Sequence, residues 1–250
     1  MLFAWVTPLA SLWLTGLLGL WAALLFGGFV FGRANAAGTG RMPLWTRMAS
    51  SAVLVLAAWS GYVVSRGTTT SLFALLIAVG MTLGMLGDLL MARLMAIAQY
   101  MLLGMGAFGL GHVAYIAAGL VYGNQHVLAE AGPRYNIWAI WLMGGLIGWY
   151  FAVFRGQPKR SALHWVALPY ALLLASTAGV ATGLAIQEAA LWPMAVGAAL
   201  FLVSDLILAA RLFNGRFFPL IEDAIWLTYG PGQMLIVYSV GSALNAVAAR

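Results

Sequence analysis

Two aspartates stand in long apolar stretches and in almost the same local sequence. Asp88 lies in MLGDLLMARL and Asp205 in LVSDLILAARL. The arginine near the end of each segment is Arg93 or Arg211. A carboxylate inside a membrane-spanning helix is costly, so it usually faces the interior of the bundle and serves a function. At the usual helical rise we expect both carboxyl groups at a similar depth, within about 7 to 9 Å of one helix end.

Two carboxyl groups at one depth are suited to acid and base catalysis. If their helices pack together, desolvation and mutual repulsion favour a protonated acid beside an ionised one. Gly80, Gly84 and Asp88 share one helix face, and small residues let another backbone approach, so this face should look into the bundle. The alternative is that each aspartate pairs with its own arginine and anchors a helix end at the membrane surface.

A histidine and a tyrosine mark another apolar stretch. His112 lies in the middle of GAFGLGHVAYI, and Tyr115 follows one turn later. A lone imidazole in a helix is either a hydrogen-bonding partner for a neighbouring helix or a proton carrier. The other histidines, His126 and His164, lie at different depths, so the three do not predict a metal site.

The last apolar stretch contains TYGPGQMLIVYS, in which glycines flank a proline. Gly230, Pro231 and Gly232 predict a break in this helix just before Gln233. Irregular backbone at membrane depth is tolerated where protein or a water-filled cavity surrounds it. We therefore expect Tyr229 and Gln233 to line a pocket, the alternative being a kink that serves packing alone.

Composition places the chain in a membrane. Of its 250 residues, 64% are hydrophobic and only 7% are charged, well outside the range of soluble domains. A helix that crosses a bilayer needs about 20 mostly apolar residues. We therefore predict an all-α, polytopic protein with a single membrane domain over residues 1–250. Its eight predicted spans are 3–31, 46–65, 71–92, 95–122, 136–154, 162–186, 189–210 and 222–246.

Several kinds of chemistry are excluded by residues that are absent or misplaced. The chain has no cysteine, which excludes disulfides, thiolate metal ligands and a cysteine nucleophile. The only lysine, Lys159, lies in a loop, so no buried lysine is available for a retinal Schiff base. Glycine-rich phosphate loops are absent as well. We predict no cofactor and no metal.

The basic residues predict a partner and an orientation. The net charge is +6, but the basic residues lie in short loops beside apolar spans, so anionic lipid rather than nucleic acid is the expected partner. Basic loops stay in the cytosol, and the uneven distribution therefore places both termini outside. One side carries Arg33, Arg41, Arg47, Arg93, Arg155, Lys159, Arg160, Arg211 and Arg216, and the other carries Arg66, Arg134 and Arg250.

The two aspartate segments also suggest an internal duplication. Four spans separate them, so both helices run in the same direction, and strongly basic loops follow the first and the fifth span. This pattern predicts a parallel repeat of four plus four helices. Because the matching segment is short, chance similarity between apolar helices is the alternative.

Taken in order, four segments resemble the lysoplasmalogenase-like YhhN family of eight-span membrane proteins. The segments are LGMLGDLLM, AFGLGHVAYI, GAALFLVSDLILAARLF and YGPGQMLIVYS, and the resemblance covers essentially the whole chain. It implies hydrolysis of the vinyl ether bond of lysoplasmalogens to a fatty aldehyde and glycerophosphocholine or glycerophosphoethanolamine. The two acidic positions of the family correspond to Asp88 and Asp205. One departure lies in WTRMASS, where the family commonly has Lys-Pro and this chain has Arg47 and Met48.

Cleavage of a vinyl ether needs an acid, an anion and water. Protonation of the outer vinyl carbon gives an oxocarbenium ion, water adds, and the hemiacetal collapses, much as paired carboxylates act in glycosidases. We expect one of Asp88 and Asp205 to be the acid and the other the base, with the order open and no metal required. The expected supporting residues are Tyr229, Gln233 and His112 for water or glycerol, Arg47, Arg93 and Arg211 for the phosphate, and Tyr115 and Ser204 beside the motifs. Arginines at the interface also serve as simple helix anchors.

Two other functions are compatible with the sequence. Intramembrane aspartates and broken helices also build proton relays, so a proton-coupled transporter of small molecules or lipids is one alternative. A metal-dependent amide or ester hydrolase that uses histidines with aspartate is the second. The expected partners are a lysophospholipid substrate and membrane lipids, the expected location is a bacterial plasma membrane, and the oligomeric state is open.

Overall fold

The structure is a computed structural model that describes residues 7–156 and 161–249. Every regular element in those residues is helical, so the all-α prediction is confirmed. The long helices are α1 (Pro8–Phe31), α2 (Leu44–Ser65), α3 (Ser71–Met91), α4 (Tyr100–Gln125), α5 (Ile137–Trp149), α6 (Ala162–Gln187), α7 (Trp192–Asn214) and α8 (Ile221–Ala248). One π-helical turn extends α5 at each end, Gly132–Asn136 and Tyr150–Phe154. The predicted span residues 3–6 and the loop residues Lys159, Arg160 and Arg250 lie outside the described residues.

Seven helical segments of the described chain are long and apolar enough to cross a membrane. The chain is therefore a multi-pass integral membrane protein. α8 has 28 residues and is not among the seven. Its buried residues include the polar Asp223, Tyr229, Gln233 and Ser239, which neighbouring helices shield from lipid. The eighth span stays a prediction.

Neighbouring helices pair along the chain, and the pairs repeat between the two halves. α1 packs on α2 and α3 on α4, as α5 packs on α6 and α7 on α8. Across the halves, α2 packs on α8 and α6 packs on α4. A parallel repeat of four plus four helices predicts this pairing. The repeat itself, and the side of the membrane on which the termini lie, stay predictions.

Glycines on α3 bring this helix close to its neighbours. A Cβ atom at Gly80 would lie 2.3 Å from Cε1 of Tyr115, and a Cβ atom at Gly84 would lie 2.6 Å from Nε2 of Gln233. Both glycines and Asp88 are buried. The prediction that this face of α3 looks into the bundle is therefore confirmed, and the missing side chains leave room for Tyr115 and Gln233.

The predicted break in the last helix is wrong. α8 runs without interruption from Ile221 to Ala248, with Pro231 inside it. Gly232 instead serves a close helix crossing: a Cβ atom there would lie 2.9 Å from the carbonyl oxygen of Gly197 on α7. The contact is reciprocal, since a Cβ atom at Gly197 would lie 2.6 Å from the carbonyl oxygen of Gly232. These two residues without side chains let α7 and α8 approach this closely.

The loop between α1 and α2 is fixed to the start of α8. The Asp223 carboxylate accepts two hydrogen bonds from backbone N–H groups of this loop, the shorter from Arg41 at 2.6 Å. The Thr39 hydroxyl donates to Glu222 at 3.0 Å, and the backbone N–H of Glu222 donates to the carbonyl of Thr39 at 2.8 Å. The two acidic side chains in the first turn of α8 thus hold the loop over one end of the bundle.

Candidate active site

A cavity of about 560 Å³ opens among α2, α3, α4, α7 and α8. Asp88 and Asp205 both line it, so the structure brings the two predicted carboxyl groups to one space. Five more of the predicted site residues line the same cavity: Arg47, Arg93, Ser204, Arg211 and Tyr229. The volume lies within the usual range of a small-molecule binding site.

Asp88 is held by hydroxyl groups from two other helices. The residue is only 4% exposed. Ser51 on α2 and Tyr229 on α8 donate hydrogen bonds to the same carboxylate oxygen, Oδ2, at 2.5 and 3.0 Å. Hydrogen bonds donated to a carboxyl group favour its ionised form. These two donors offset part of the cost that burial imposes on the charged form of Asp88.

A chain of hydrogen bonds extends from Asp88 into the core of the bundle. The hydroxyl of Tyr115 donates to Oε1 of Gln233 at 2.9 Å. Nε2 of Gln233 donates to the hydroxyl of Tyr229 at 3.0 Å, and this hydroxyl then has its hydrogen free for Asp88. All four residues are buried. Tyr115 and Gln233 thus support the carboxylate from behind, through Tyr229, and do not line the cavity.

Asp205 has a hydroxyl partner from a different helix. Tyr170 on α6 donates a hydrogen bond to Oδ2 of Asp205. Asp205 is half-buried and lines both the large cavity and an adjoining apolar pocket. With one hydroxyl donor against the two at Asp88, the ionised form of Asp205 receives less support from the protein.

Three residues of this site are missing from the sequence prediction: Ser51, Tyr170 and Glu222. Ser51 is one of two adjacent serines in an apolar stretch, and such a polar pair needs partners when it is buried. The serine pair is therefore a visible sign in the sequence that a polar partner lies nearby. Tyr170 follows Pro169 inside α6, and no local pattern connects it with an aspartate on another helix.

The alternative in which each aspartate anchors a helix end is wrong. Arg93 donates to the hydroxyl of Tyr100 at 2.5 Å and stacks on its ring. Arg211 pairs with Glu222, with 2.7 Å between Nη2 and Oε1. Within residues 7–156 and 161–249, neither aspartate forms an ion pair with its own arginine.

The two aspartates share a cavity although they lie at different distances from their helix ends. α3 ends at Met91, only three residues after Asp88, or about 4.5 Å along the axis. α7 continues to Asn214, nine residues after Asp205, or about 13.5 Å. The expected equal distance of about 7 to 9 Å is therefore wrong. Arg93, with a φ of 56°, lies just beyond α3, whereas Arg211 lies inside the last turn of α7.

One end of the cavity is cationic. Arg47, Arg93 and Arg211 line it together with a single acidic residue beyond the two aspartates, Glu222. Glu222 accepts from Arg211 at 2.7 Å and lies 3.7 Å from Nη1 of Arg47. Arg47 also lies over the ring of Trp226, 5.7 Å from its centroid. Three guanidinium groups against one carboxylate leave an excess of positive charge for an anionic ligand.

An apolar pocket adjoins the cavity beside Asp205. Its volume is about 60 Å³. It lies among α4, α5, α6 and α7 and includes Met101, Met105, Phe108, Trp149, Leu174 and Leu206. α4 and α7 do not pack backbone to backbone, and ring contacts from Phe201 to Phe108 and His112 join them instead. The two helices thus leave an apolar space between them.

His112 does not line the cavity. It is only 1% exposed, and its Nδ1 lies 2.9 Å from the hydroxyl of Thr177. The same hydroxyl lies within hydrogen-bond distance of the carbonyl of Leu173, and Nε2 of the ring is buried without a partner among the described residues. Ser204 lines the cavity, but its hydroxyl donates to the carbonyl of Ile225 at 3.0 Å and so joins α7 to α8.

The histidines lie far from one another along the helices. His126 follows the end of α4, and His164 caps the start of α6 together with Ser161. In the part of the chain that the structure describes, no three His, Cys, Asp or Glu side chains are grouped so that they could hold a metal ion.

Comparison with known proteins gives one match. The model of the YhhN family matches residues 42–240. This range begins at the end of the α1–α2 loop and ends inside α8, so it includes both aspartates and all residues that line the large cavity. No curated protein matches the chain, and no solved structure matches it.

Proposed function

The chain belongs to the YhhN family, and we propose that it is a membrane-embedded lysoplasmalogenase, which hydrolyses the vinyl ether bond of lysoplasmalogens to a fatty aldehyde and glycerophosphocholine or glycerophosphoethanolamine. One observation carries the proposal. Asp88 and Asp205, each hydrogen-bonded by a hydroxyl group, line one cavity that is cationic at one end and adjoins an apolar pocket beside Asp205.

A lysolipid matches this order of chemical environments. Guanidinium groups bind phosphate through charge-assisted hydrogen bonds, so Arg47, Arg93 and Arg211 bind the headgroup. The apolar pocket takes the first carbons of the alkenyl chain, and the rest continues between α4 and α7. The vinyl ether, which joins headgroup and chain, then lies beside the two carboxyl groups.

The hydrogen bonds favour one assignment of acid and base. Asp88 accepts two hydroxyl donors on one oxygen, and this stabilises its ionised form. Asp205 accepts one, from Tyr170. We therefore assign the proton donor to Asp205 and the anion to Asp88.

The reaction proceeds in two proton-balanced steps. Asp205 donates its proton to the outer vinyl carbon, which gives an oxocarbenium ion that the Asp88 carboxylate stabilises. Water then bonds to the cationic carbon and gives one proton to Asp88, so the product is a hemiacetal. In the second step the protonated Asp88 donates to the ether oxygen, the carbon–oxygen bond breaks, and Asp205 takes the hydroxyl proton. The aldehyde leaves, and both carboxyl groups return to their starting forms.

The other buried polar residues hold this arrangement in place. Tyr115 and Gln233 orient the hydroxyl of Tyr229 toward Asp88. Since the carboxylate must be ready to accept a proton from water, a fixed donor arrangement avoids reorganisation during the reaction. We assign the protein to a bacterial plasma membrane, with the cationic end of the cavity on the cytosolic side, because the predicted basic loops lie there.

The proposed function is tested by offering two lipids to the purified protein. The first is a lysoplasmalogen, and the second is an acyl lysophospholipid with the same headgroup. We expect fatty aldehyde from the first and no fatty acid from the second. Fatty acid from the acyl lipid, or no aldehyde from the vinyl ether, contradicts the proposal.

The same preparation separates the two rival functions. The proposed mechanism uses only carboxyl groups and water, so activity should persist in the presence of a chelator, whereas a metal-dependent amide or ester hydrolase loses it. If neither lipid is cleaved, proton and lipid flux across liposomes that contain the protein tests the transporter.

A further inference from the structure

A second cavity lies next to the candidate active site and plays no part in the chemistry described above. Its volume is about 540 Å³, it is open to the surface, and it lies between the end of α1, the α1–α2 loop, the start of α2 and Glu222 at the start of α8. Of the residues that the structure describes, Arg33, Arg41 and Arg47 line it, and Glu222 is the one acidic residue in its lining. Like the first cavity, it has an excess of positive charge.

The two cavities meet at one ion pair. Arg47 and Glu222 line both of them, with 3.7 Å between Nη1 and Oε2. Glu222 is already bound by two better donors, Arg211 at 2.7 Å and the hydroxyl of Thr39 at 3.0 Å. An anion that binds Arg47 therefore competes only with the longest contact of Glu222.

Arg47 also has an unused donor. Its Nε is buried and has no hydrogen-bond partner among residues 7–156 and 161–249, although buried donors in proteins are almost always paired. An acceptor oxygen of a bound ligand would supply the missing partner. Of the other arginines, Arg41 is held by the carbonyl oxygens of Gly32 and Val30, each at 3.2 Å. Arg33 is exposed and has no hydrogen bond to the described residues.

We propose that this second cavity binds a phosphodiester anion. Guanidinium groups match phosphate oxygens in geometry and charge, and the volume lies in the range of small-molecule sites. Because Arg47 belongs to both cavities, a phosphodiester released in the first can pass into the second without losing that arginine. This route assigns the second cavity to the glycerophosphodiester product, and that assignment rests on the proposed function. A phospholipid headgroup offers the same chemistry and is the other source.

The test measures binding of glycerophosphoethanolamine to the full-length protein by titration calorimetry. This compound has no vinyl ether, so the wild-type protein serves without turnover. We expect Arg33→Gln to raise Kd at least about fivefold, as loss of one charged contact to phosphate predicts. Arg216→Gln removes the same charge from an exposed residue that lines neither cavity and should leave Kd unchanged. Glycerol, which lacks the phosphate, should not bind.

Two results overturn the proposal. One is that Arg33→Gln and Arg216→Gln have the same effect, because binding then depends on overall charge. The other is that Arg93→Gln weakens binding and Arg33→Gln does not, because only the first cavity contains Arg93 and the phosphodiester then binds there.

Two further experiments are needed. One distinguishes a lipid headgroup from the soluble product as the ligand, and the other distinguishes failure of the binding site from failure of the proposed function. In nanodiscs, replacement of part of the phosphatidylcholine by phosphatidylglycerol weakens glycerophosphoethanolamine binding if a lipid headgroup occupies the second cavity, and leaves it unchanged if the soluble product does. Binding that depends on Arg33, in a protein that does not cleave lysoplasmalogen, supports the site and contradicts the enzyme. Cleavage of lysoplasmalogen by a protein whose binding of glycerophosphoethanolamine is insensitive to Arg33→Gln supports the enzyme and contradicts the second site.

Discussion

Tyr229 donates a hydrogen bond to Asp88 at 3.0 Å, although 141 positions separate the two residues in the chain. The same hydroxyl accepts from Gln233, one turn further along α8. The environment of the α3 carboxylate is thus set by a helix from the other end of the sequence. Predictions about catalysis follow from this arrangement and from the contrast with Asp205.

Replacement of either carboxyl group by an amide should nearly abolish activity. In Asp88→Asn and Asp205→Asn we expect kcat to fall by about 10²- to 10⁴-fold, the range of general acid and base catalysis, because the amide neither donates nor accepts the required proton. Aldehyde release from lysoplasmalogen is the measurement. Glu130→Gln, after the far end of α4, is the matched control. Full turnover by either aspartate variant contradicts the two-carboxyl mechanism.

Loss of the Tyr229 hydroxyl should change the pH dependence as well as the rate. Tyr229→Phe removes one of the two hydroxyl donors of Asp88, so the ionised form loses support and a higher pH is needed to populate it. We expect the acidic limb of the kcat/KM profile to move to higher pH. Tyr238→Phe removes a hydroxyl from the same helix, where it bonds the carbonyl of Leu14, and should leave the profile unchanged. Equal profiles for both variants would show that Tyr229 does not support the base.

A bulky side chain in the apolar pocket should discriminate between chain lengths. Met105 lines this pocket and not the larger cavity. Met105→Trp should raise KM for long-chain lysoplasmalogens about tenfold or more, and much less for a short-chain analogue, because burial of each methylene contributes about 0.8 kcal/mol. Met143→Trp, at a position that is 57% exposed on α5, serves as the control. The pocket assignment fails if both variants raise KM for both lipids equally.

One methyl group on α3 should disturb the carboxylate through its supports. A Cβ atom at Gly84 would lie 2.6 Å from Nε2 of Gln233, so Gly84→Ala pushes Gln233 away from Tyr229. We expect kcat to fall about tenfold or more, since a small misplacement of catalytic groups is costly. Gly16→Ala, where nothing lies within 4 Å of the added atom, should behave as wild type. Unfolding temperatures of both variants show whether the loss of activity exceeds a loss of stability.

The amino-acid sequence predicts much of this site because acidic residues are unusual in apolar stretches. Asp88 and Asp205 stand out as acids in apolar stretches, and hydropathy alone locates the helices to within a few residues at most ends. The glycine stripe on α3 indicates the buried face correctly. TYGPGQ points to Tyr229 and Gln233, although for a wrong reason, since α8 continues through Pro231.

The parts that the pattern misses depend on which helices are neighbours. Tyr170 reaches Asp205 because α6 packs on α7, and helical periodicity within one segment carries no information about such a partner. Glu222 belongs to the site because its helix begins beside Arg47 and Arg211. The distances of the aspartates from their helix ends are mispredicted because α7 extends beyond Arg211 whereas α3 stops before Arg93.

The separation of α4 from α7 bears on how substrate supply must be measured. The apolar pocket between them includes Met101 and the 42%-exposed Leu212, so part of its apolar lining lies at the surface of the bundle. Under the proposed function, we expect a lysolipid to reach the carboxyl groups from the bilayer by lateral diffusion, so its effective concentration is its mole fraction there. Dilution of a fixed amount of substrate with inert phospholipid should slow the enzyme even when the concentration in the tube is constant. KM for this protein should therefore be expressed as a mole fraction of substrate in the bilayer rather than as a bulk concentration.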